Sequence, residues 1–147
     1  MVYHKIFLFP ASIILCMILL SGFVMPDHEA LVQDLLWERS LILEDYYYGK
    51  ISLQEGQERL SSVETQPLLR EDIAMMKAWE NSDLDVIRGL KILSLEKRTG
   101  LYGYLAFDGV ILWNMRGLTG SYTEVAEYNI VLKQSGEQYR ISILEAL

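Results

Sequence analysis

The stretch LYGYLAFDGVILWNMR, residues 101–116, decides the fold. Taken as one long strand from Leu101 to Arg116, its odd positions are Leu101, Gly103, Leu105, Phe107, Gly109, Ile111, Trp113 and Met115. Its even positions are Tyr102, Tyr104, Ala106, Asp108, Val110, Leu112, Asn114 and Arg116. Side chains alternate between the two faces of a strand, so the odd set makes an almost wholly apolar face and the even set a mixed one. That pattern predicts a half-buried antiparallel strand with something packed over its odd face.

Helices precede the strand. From His28 to Tyr48, residues Leu31, Val32, Leu35, Leu36, Ile42, Leu43, Tyr46 and Tyr47 recur at helical spacing, with Glu29, Asp34, Glu38 and Glu44 largely opposite. Arg39 interrupts the apolar stripe and is expected to lay its stem along the core with its head in water. Gly49 suits the residue past the helix end, and Lys50 complements the carbonyl end of the dipole. The run Tyr46-Tyr47-Tyr48 is expected to pack two rings and expose one. Ser52 and Glu55 form a capping box that opens a second helix burying Leu53, Leu60 and Val63, with Gly56 allowing a close crossing. Pro67 fits the first turn of a third helix with Leu69, Ile73 and Met76 on one stripe and Trp79 and Met75 beside it. Asn81-Ser82-Asp83 predicts a stop and a turn.

Strands follow the helices. Val86 to Lys97 changes parity between Ile92 and Leu95, which a bulge near Leu93 reconciles. Arg98-Thr99-Gly100 is expected to turn the chain into the long strand. Gly117-Leu118-Thr119-Gly120 turns it again, into Tyr122–Lys133, whose even residues predict an inner face. Gln134-Ser135-Gly136 makes a last hairpin, followed by Tyr139, Ile141 and Ile143 facing inward. The expected fold is α+β: helices on one face of a curved four-stranded antiparallel meander, behind an N-terminal membrane helix.

That membrane helix comes from residues 6–25, which carry no charge. At ~1.5 Å per residue the run Ile6–Met25 spans a hydrocarbon core roughly 30 Å thick. Lys5 precedes it and Asp27, Glu29 and Asp34 follow, so residues 27–147 are expected outside the cytoplasm, on the cell membrane. Residues 1–26 are thus an anchor, and residues 27–147 one extracytoplasmic domain. A signal peptide cut after Gly22 and a lipoprotein at Cys16 are the rivals. The first has Leu20 at the −3 position, and the second has Ile13-Ile14-Leu15 where a small residue is needed just before the cysteine.

Composition narrows the function. The 147-residue chain is 51% hydrophobic and 22% charged, a globular balance, with a formal net charge of −7. Lys5 is the only charged residue before Asp27, so the domain alone carries −8. An acidic domain with no basic stripe argues against nucleic acid as a partner. The one cysteine, Cys16, lies in the apolar run, so the domain has no disulfide, no thiolate-held metal and no thiol nucleophile. His4 and His28 flank that run and cannot meet. Neither a metal site nor a cofactor site is expected.

Element order from about Ala30 to Leu144, behind an anchor, resembles the extracytoplasmic NTF2-like and cystatin-like roll proteins of bacteria. Within that group the same roll serves as an isomerase, a small-molecule pocket or a scaffold in membrane complexes, and fold likeness does not choose among them.

Two functions follow as expectations. In the first, the domain binds a protein partner or a second copy through the even face of Leu101–Arg116 and the odd face of Tyr122–Lys133, bearing Tyr102, Tyr104, Val110, Leu112, Val125 and Val131. In the alternative, Glu124 points into an apolar cavity and acts as a general base in an isomerase-like enzyme, or the cavity holds an apolar small molecule. Against that alternative stands a Glu124 at the strand end with its head in water, near Arg116.

Overall fold

The computed structural model describes residues 27–78 and 85–147. The expected membrane segment Ile6–Met25, Trp79 and the Asn81-Ser82-Asp83 turn lie outside the described residues. Three helices, α1 (His28–Tyr47), α2 (Leu53–Val63) and α3 (Leu68–Ala78), precede four strands, β1 (Val86–Leu101), β2 (Tyr104–Gly117), β3 (Gly120–Ser135) and β4 (Gln138–Ala146). The strands form one antiparallel sheet in the order β1-β2-β3-β4, a meander. The fold is α+β.

Helix boundaries follow local chemistry. Asp27 caps α1 by accepting the backbone N–H groups of Glu29 and Ala30, both at 3.1 Å. Gly49, at φ +69°, closes the same helix in the left-handed conformation that glycine adopts freely. Ser52 caps α2 through its hydroxyl, which accepts the N–H of Glu55 at 3.2 Å. Gly56 lies so close to Met76 of α3 that a Cβ there would stand 2.6 Å from its methyl carbon. The two helices cross where a side chain is missing.

The core has two parts. The first half of α1 sets Val32 and Leu36 against the sheet, where Phe107, Ile111, Ile130, Leu132 and Ile141 are buried. The second half of α1 turns Ile42, Tyr46 and Tyr47 toward Leu60 and Val63 of α2 and Met76 of α3. Tyr46 donates its hydroxyl to the Met76 carbonyl at 2.7 Å, while Tyr48 is exposed. Two rings pack and one faces water, as the sequence predicts.

Strand β2 shows the predicted alternation: Leu105, Phe107, Gly109, Ile111 and Trp113 are buried, and the even residues between them are half-buried or exposed. A register shift between Ile92 and Ser94 isolates Leu93, which is exposed, so the bulge is where the change of parity put it. Three expectations need correction. The long strand does not begin at Leu101: Leu101 ends β1 and pairs with Tyr104 across a two-residue turn of Tyr102 (φ +50°) and Gly103 (φ +78°). Arg98, Thr99 and Gly100 are therefore strand residues. A turn with both central residues at positive φ matches the twist of the flanking strands, and the tyrosine in it concealed the signal. Second, α3 buries Leu68, Asp72 and Met76, whereas Leu69 and Ile73 are only half-buried. Third, a register shift on β4 lies between the partners of Val131 and Leu132. It places Ile143 opposite Val131 and lets Leu144, not Ile143, pack on the core.

Candidate interaction surface and a buried ionic cluster

The described helices pack on one face of the sheet, and among the described residues no element covers the other. In an antiparallel ladder directly paired residues share a face. Lys91, Leu112 and Val125 therefore stand side by side, as do Ser94, Val110 and Glu127. Further along come Thr99, Ala106, Val131 and Ile143, then Leu101, Tyr104, Lys133 and Arg140. Tyr104 and Val125 are exposed, and Val110, Leu112 and Val131 are half-buried. Lys133 holds its ammonium 5.5 Å from the centre of the Tyr104 ring, fixing both side chains on this surface. Five of the six residues expected to form the surface thus share one sheet face. Tyr102 does not: it sits in the hairpin turn, 90% exposed, beside the face rather than on it.

Glu124 pairs with Trp113 in the ladder and so shares the helix-facing side of the sheet, as its parity predicts. It is nevertheless exposed, because it lies toward the hairpin end of β3, where Tyr122, Thr123 and Val125 are also exposed. Among the described residues nothing supplies the apolar enclosure that would raise it into a base. The inner face is filled instead, with Phe107 and Trp113 buried and the Trp113 and Tyr128 rings edge to face at 6.2 Å. Two surface clefts of about 460 and 470 Å³ lie elsewhere, one between Tyr48, Arg88 and Leu118, the other between Leu35, Val63 and Tyr139. Glu124 lines neither. Among the described residues no group of histidine, cysteine or carboxylate side chains is placed to hold a metal ion.

The sequence did not disclose the ionic cluster inside the helical layer. Arg39, expected to reach water, turns inward. Its Nε donates to Glu64 Oε1 at 2.7 Å and to Asp72 Oδ2 at 2.9 Å, and its Nη2 also donates to Asp72 Oδ2. Glu64 is fully buried, Asp72 is 2% exposed and Arg39 15%. Backbone geometry sets Glu64 there. Its N–H closes α2 on the Leu60 carbonyl, and it bridges Ile141 of β4 in a parallel pairing. Thr65 N–H then donates to the Ile141 carbonyl at 2.8 Å, and the Ser142 hydroxyl donates to the Gln66 carbonyl at 2.7 Å. The β4 irregularity that displaces Ile143 also buries Ser142, which secures the α2–α3 connection.

One guanidinium cannot neutralise two dry carboxylates, and Glu64 Oε2 has no partner among the described residues. Burial first, and the neighbouring Asp72 carboxyl next, push the Glu64 carboxyl up to about 8, against the opposing pull of Arg39. Burial, and then the Asp72 charge, also raise the Tyr47 phenol. Near neutral pH Glu64 therefore keeps its proton. Two acids sharing one proton would suit catalysis in a cleft, but here they lie inside the packing of the helices. The cluster ties α1, α2 and α3 together. A polar residue at a buried helical position is its only sequence trace: Asp72 lies four residues before Met76 and four after Leu68.

Comparison with protein-family models finds no match, and comparison with curated proteins finds no relative.

Proposed function

We propose that this chain is a single-pass membrane protein whose extracytoplasmic domain, residues 27–147, binds protein through the sheet face that the helices leave bare. The observation that carries it is the one-sided cover of the sheet. Tyr104, Val110, Leu112, Val125 and Val131 stand on one surface, and among the described residues no helix lies over them. The uncharged run Ile6–Met25, with Lys5 before it and acids after it, supports the anchor and its orientation. The order of three helices and a four-stranded meander supports kinship with the NTF2-like and cystatin-like rolls, among which scaffolds occur. The filled inner face favours a contact domain over a ligand pocket.

A cysteine at Tyr104 or Val125 carrying a photo-activated cross-linker should give protein adducts in intact membranes, with Glu38 on α1 as the control. Adducts from Glu38 alone would overturn the choice of face. Protease added to intact protoplasts should remove the domain. A protected domain, or a mature N-terminus at Phe23, would refute the anchored topology.

A further inference from the structure

The bare face is banded in charge, and the bands have a symmetry. At the end near the first hairpin, Lys133 and Arg140 pair across β3 and β4 and give a band of two positive charges. The next outward residues, Thr99, Ala106, Val131 and Ile143, carry none. Beyond them lie Glu96, Asp108, Asn129 and Glu145, three acids in one row. Arg98, freed by the register shift between Lys97 and Thr99, leans over that row. Its Nε is 3.2 Å from Asp108 and its Nη2 donates to Asn129 at 3.1 Å. The acidic row is thereby reduced to two negative charges. Two positive charges and a net of two negative ones thus flank an uncharged strip, with the exposed Glu127 one row further out beside Val110.

Two copies that meet face to face by a two-fold axis place that axis in the plane between them. Each residue on one side of the axis then meets the residue at the mirrored distance on the same strand of the other copy. With the axis along the uncharged strip, Arg140 meets Glu145 of the second copy, and the Tyr104 hydroxyl approaches the second copy's Asp108. Ala106, Val131 and Ile143 pack on themselves at the centre. We infer that the partner on the bare sheet face is a second copy of this chain, docked face to face about the strip of Ala106, Val131 and Ile143, an inference that rests on the proposed contact function.

Charge elsewhere favours the same face. Residues 27–85 hold fourteen acidic and five basic side chains, a net −9, so two helical faces repel. Residues 86–147 hold six acidic and seven basic, a net +1. About the Ala106 strip the overlapping rows run from Tyr102 and Ser135 at the hairpin ends to Val110 and Glu127, four strands ~4.8 Å apart and eight residues at ~3.4 Å each, roughly 500 Å² per copy. The total of roughly 1,000 Å² reaches what a specific interface needs and predicts a modest dimer.

The test uses the full chain in membranes with Cys16→Ser and Val131→Cys, treated with a short bis-maleimide. Packed sheets stand ~10 Å apart, too far for a direct disulfide. Cross-linked dimer is expected. Arg140→Glu or Glu145→Arg alone should cut its yield at least about fivefold by setting like charges against each other. The two together should restore it. Single reversals without effect, or a double reversal that fails to restore the yield, would overturn the self-docking. If Val131→Cys gives no dimer but a photo-cross-linker there captures a different protein, self-docking fails and the contact function stands. If it gives neither, both fail.

Discussion

Arg39 Nε lies 2.7 Å from Glu64 Oε1 and 2.9 Å from Asp72 Oδ2, and among the described residues no other cation pairs with either carboxylate. A cluster with two acids and one base in a dry interior is stable only while one acid holds its proton. That makes the helical layer sensitive to pH on the alkaline side. Glu64 is raised from an ordinary value of 4.5 to about 8 in the folded chain. Below 4.5 the carboxyl is protonated whether the chain is folded or not, and its contribution is fully present. Between 4.5 and 8 the unfolded chain gives up the proton and the folded one keeps it, so this contribution is lost as pH rises. Above about 8 it levels off. Asp45 acts in the opposite sense: its bonded lysine, Lys50, and Arg59 hold it below its ordinary value, so its contribution is lost as pH falls in the acid range. Urea unfolding between pH 5 and 9 should show stability declining with pH for the native chain relative to Glu64→Gln. Parallel curves for the two would contradict a protonated Glu64.

The same cluster separates two substitutions that look alike on paper. Glu64→Gln keeps the shape of the protonated acid, so at pH 5 it should change stability by no more than about 1 kcal/mol in either direction, and as pH rises it should become more stable than the native chain. Arg39→Met keeps the stem and removes the cation that, among the described residues, is the only one paired with these two buried carboxyls. It should cost about 3–5 kcal/mol near neutral pH and more at pH 9, since without the downward pull of Arg39 the Glu64 carboxyl is raised further and the variant goes on losing stability where the native chain has levelled off. Equal costs at the two pH values would mean that Arg39 acts by packing alone.

The layers of this fold were legible because apolar periodicity is a physical consequence of burying one face. Val32 and Leu36 on α1, and Phe107, Ile111 and Trp113 on β2, are buried where the 3.6- and 2-residue periods put them. What escaped depends on long-range partners. Arg39, Glu64 and Asp72 are separated by 25 and 33 residues from one another's bonds to Arg39, and nothing in their neighbourhoods marks them as paired. The first hairpin escaped for a different reason. Tyr102 adopts a conformation that tyrosine rarely takes, and local propensity pointed to Gly100 instead.

Glu124 tests how far parity alone assigns a site. It shares a sheet face with Trp113, yet it lies toward the open end of β3 and is exposed. Glu124→Gln should therefore change stability by less than about 1 kcal/mol and leave any cellular phenotype of the protein intact. A folded Glu124→Gln protein with a null phenotype would restore the catalytic role that its exposure argues against.

The first hairpin offers a gain in stability. Tyr102 sits at φ +50°, where its Cβ crowds the following carbonyl oxygen, at a cost of roughly 1–2 kcal/mol for an ordinary side chain. Its ring is 90% exposed and contributes little packing in return. Asparagine tolerates that conformation, because its short polar side chain bonds locally, and Asn before Gly103 gives the dipeptide most favoured in such two-residue turns. Leu101 and Tyr104 already pair across the turn, so the flanking ladder needs no change of register. Tyr102→Asn should raise stability by about 0.5–1 kcal/mol, a melting temperature several degrees higher for a domain of this size. Tyr102→Val should do the opposite, since a β-branched side chain is least able to occupy positive φ. Thermal unfolding of the two variants beside the native chain decides the matter: if Asn and Val shift the midpoint in the same direction, the turn does not hold Tyr102 in the left-handed conformation.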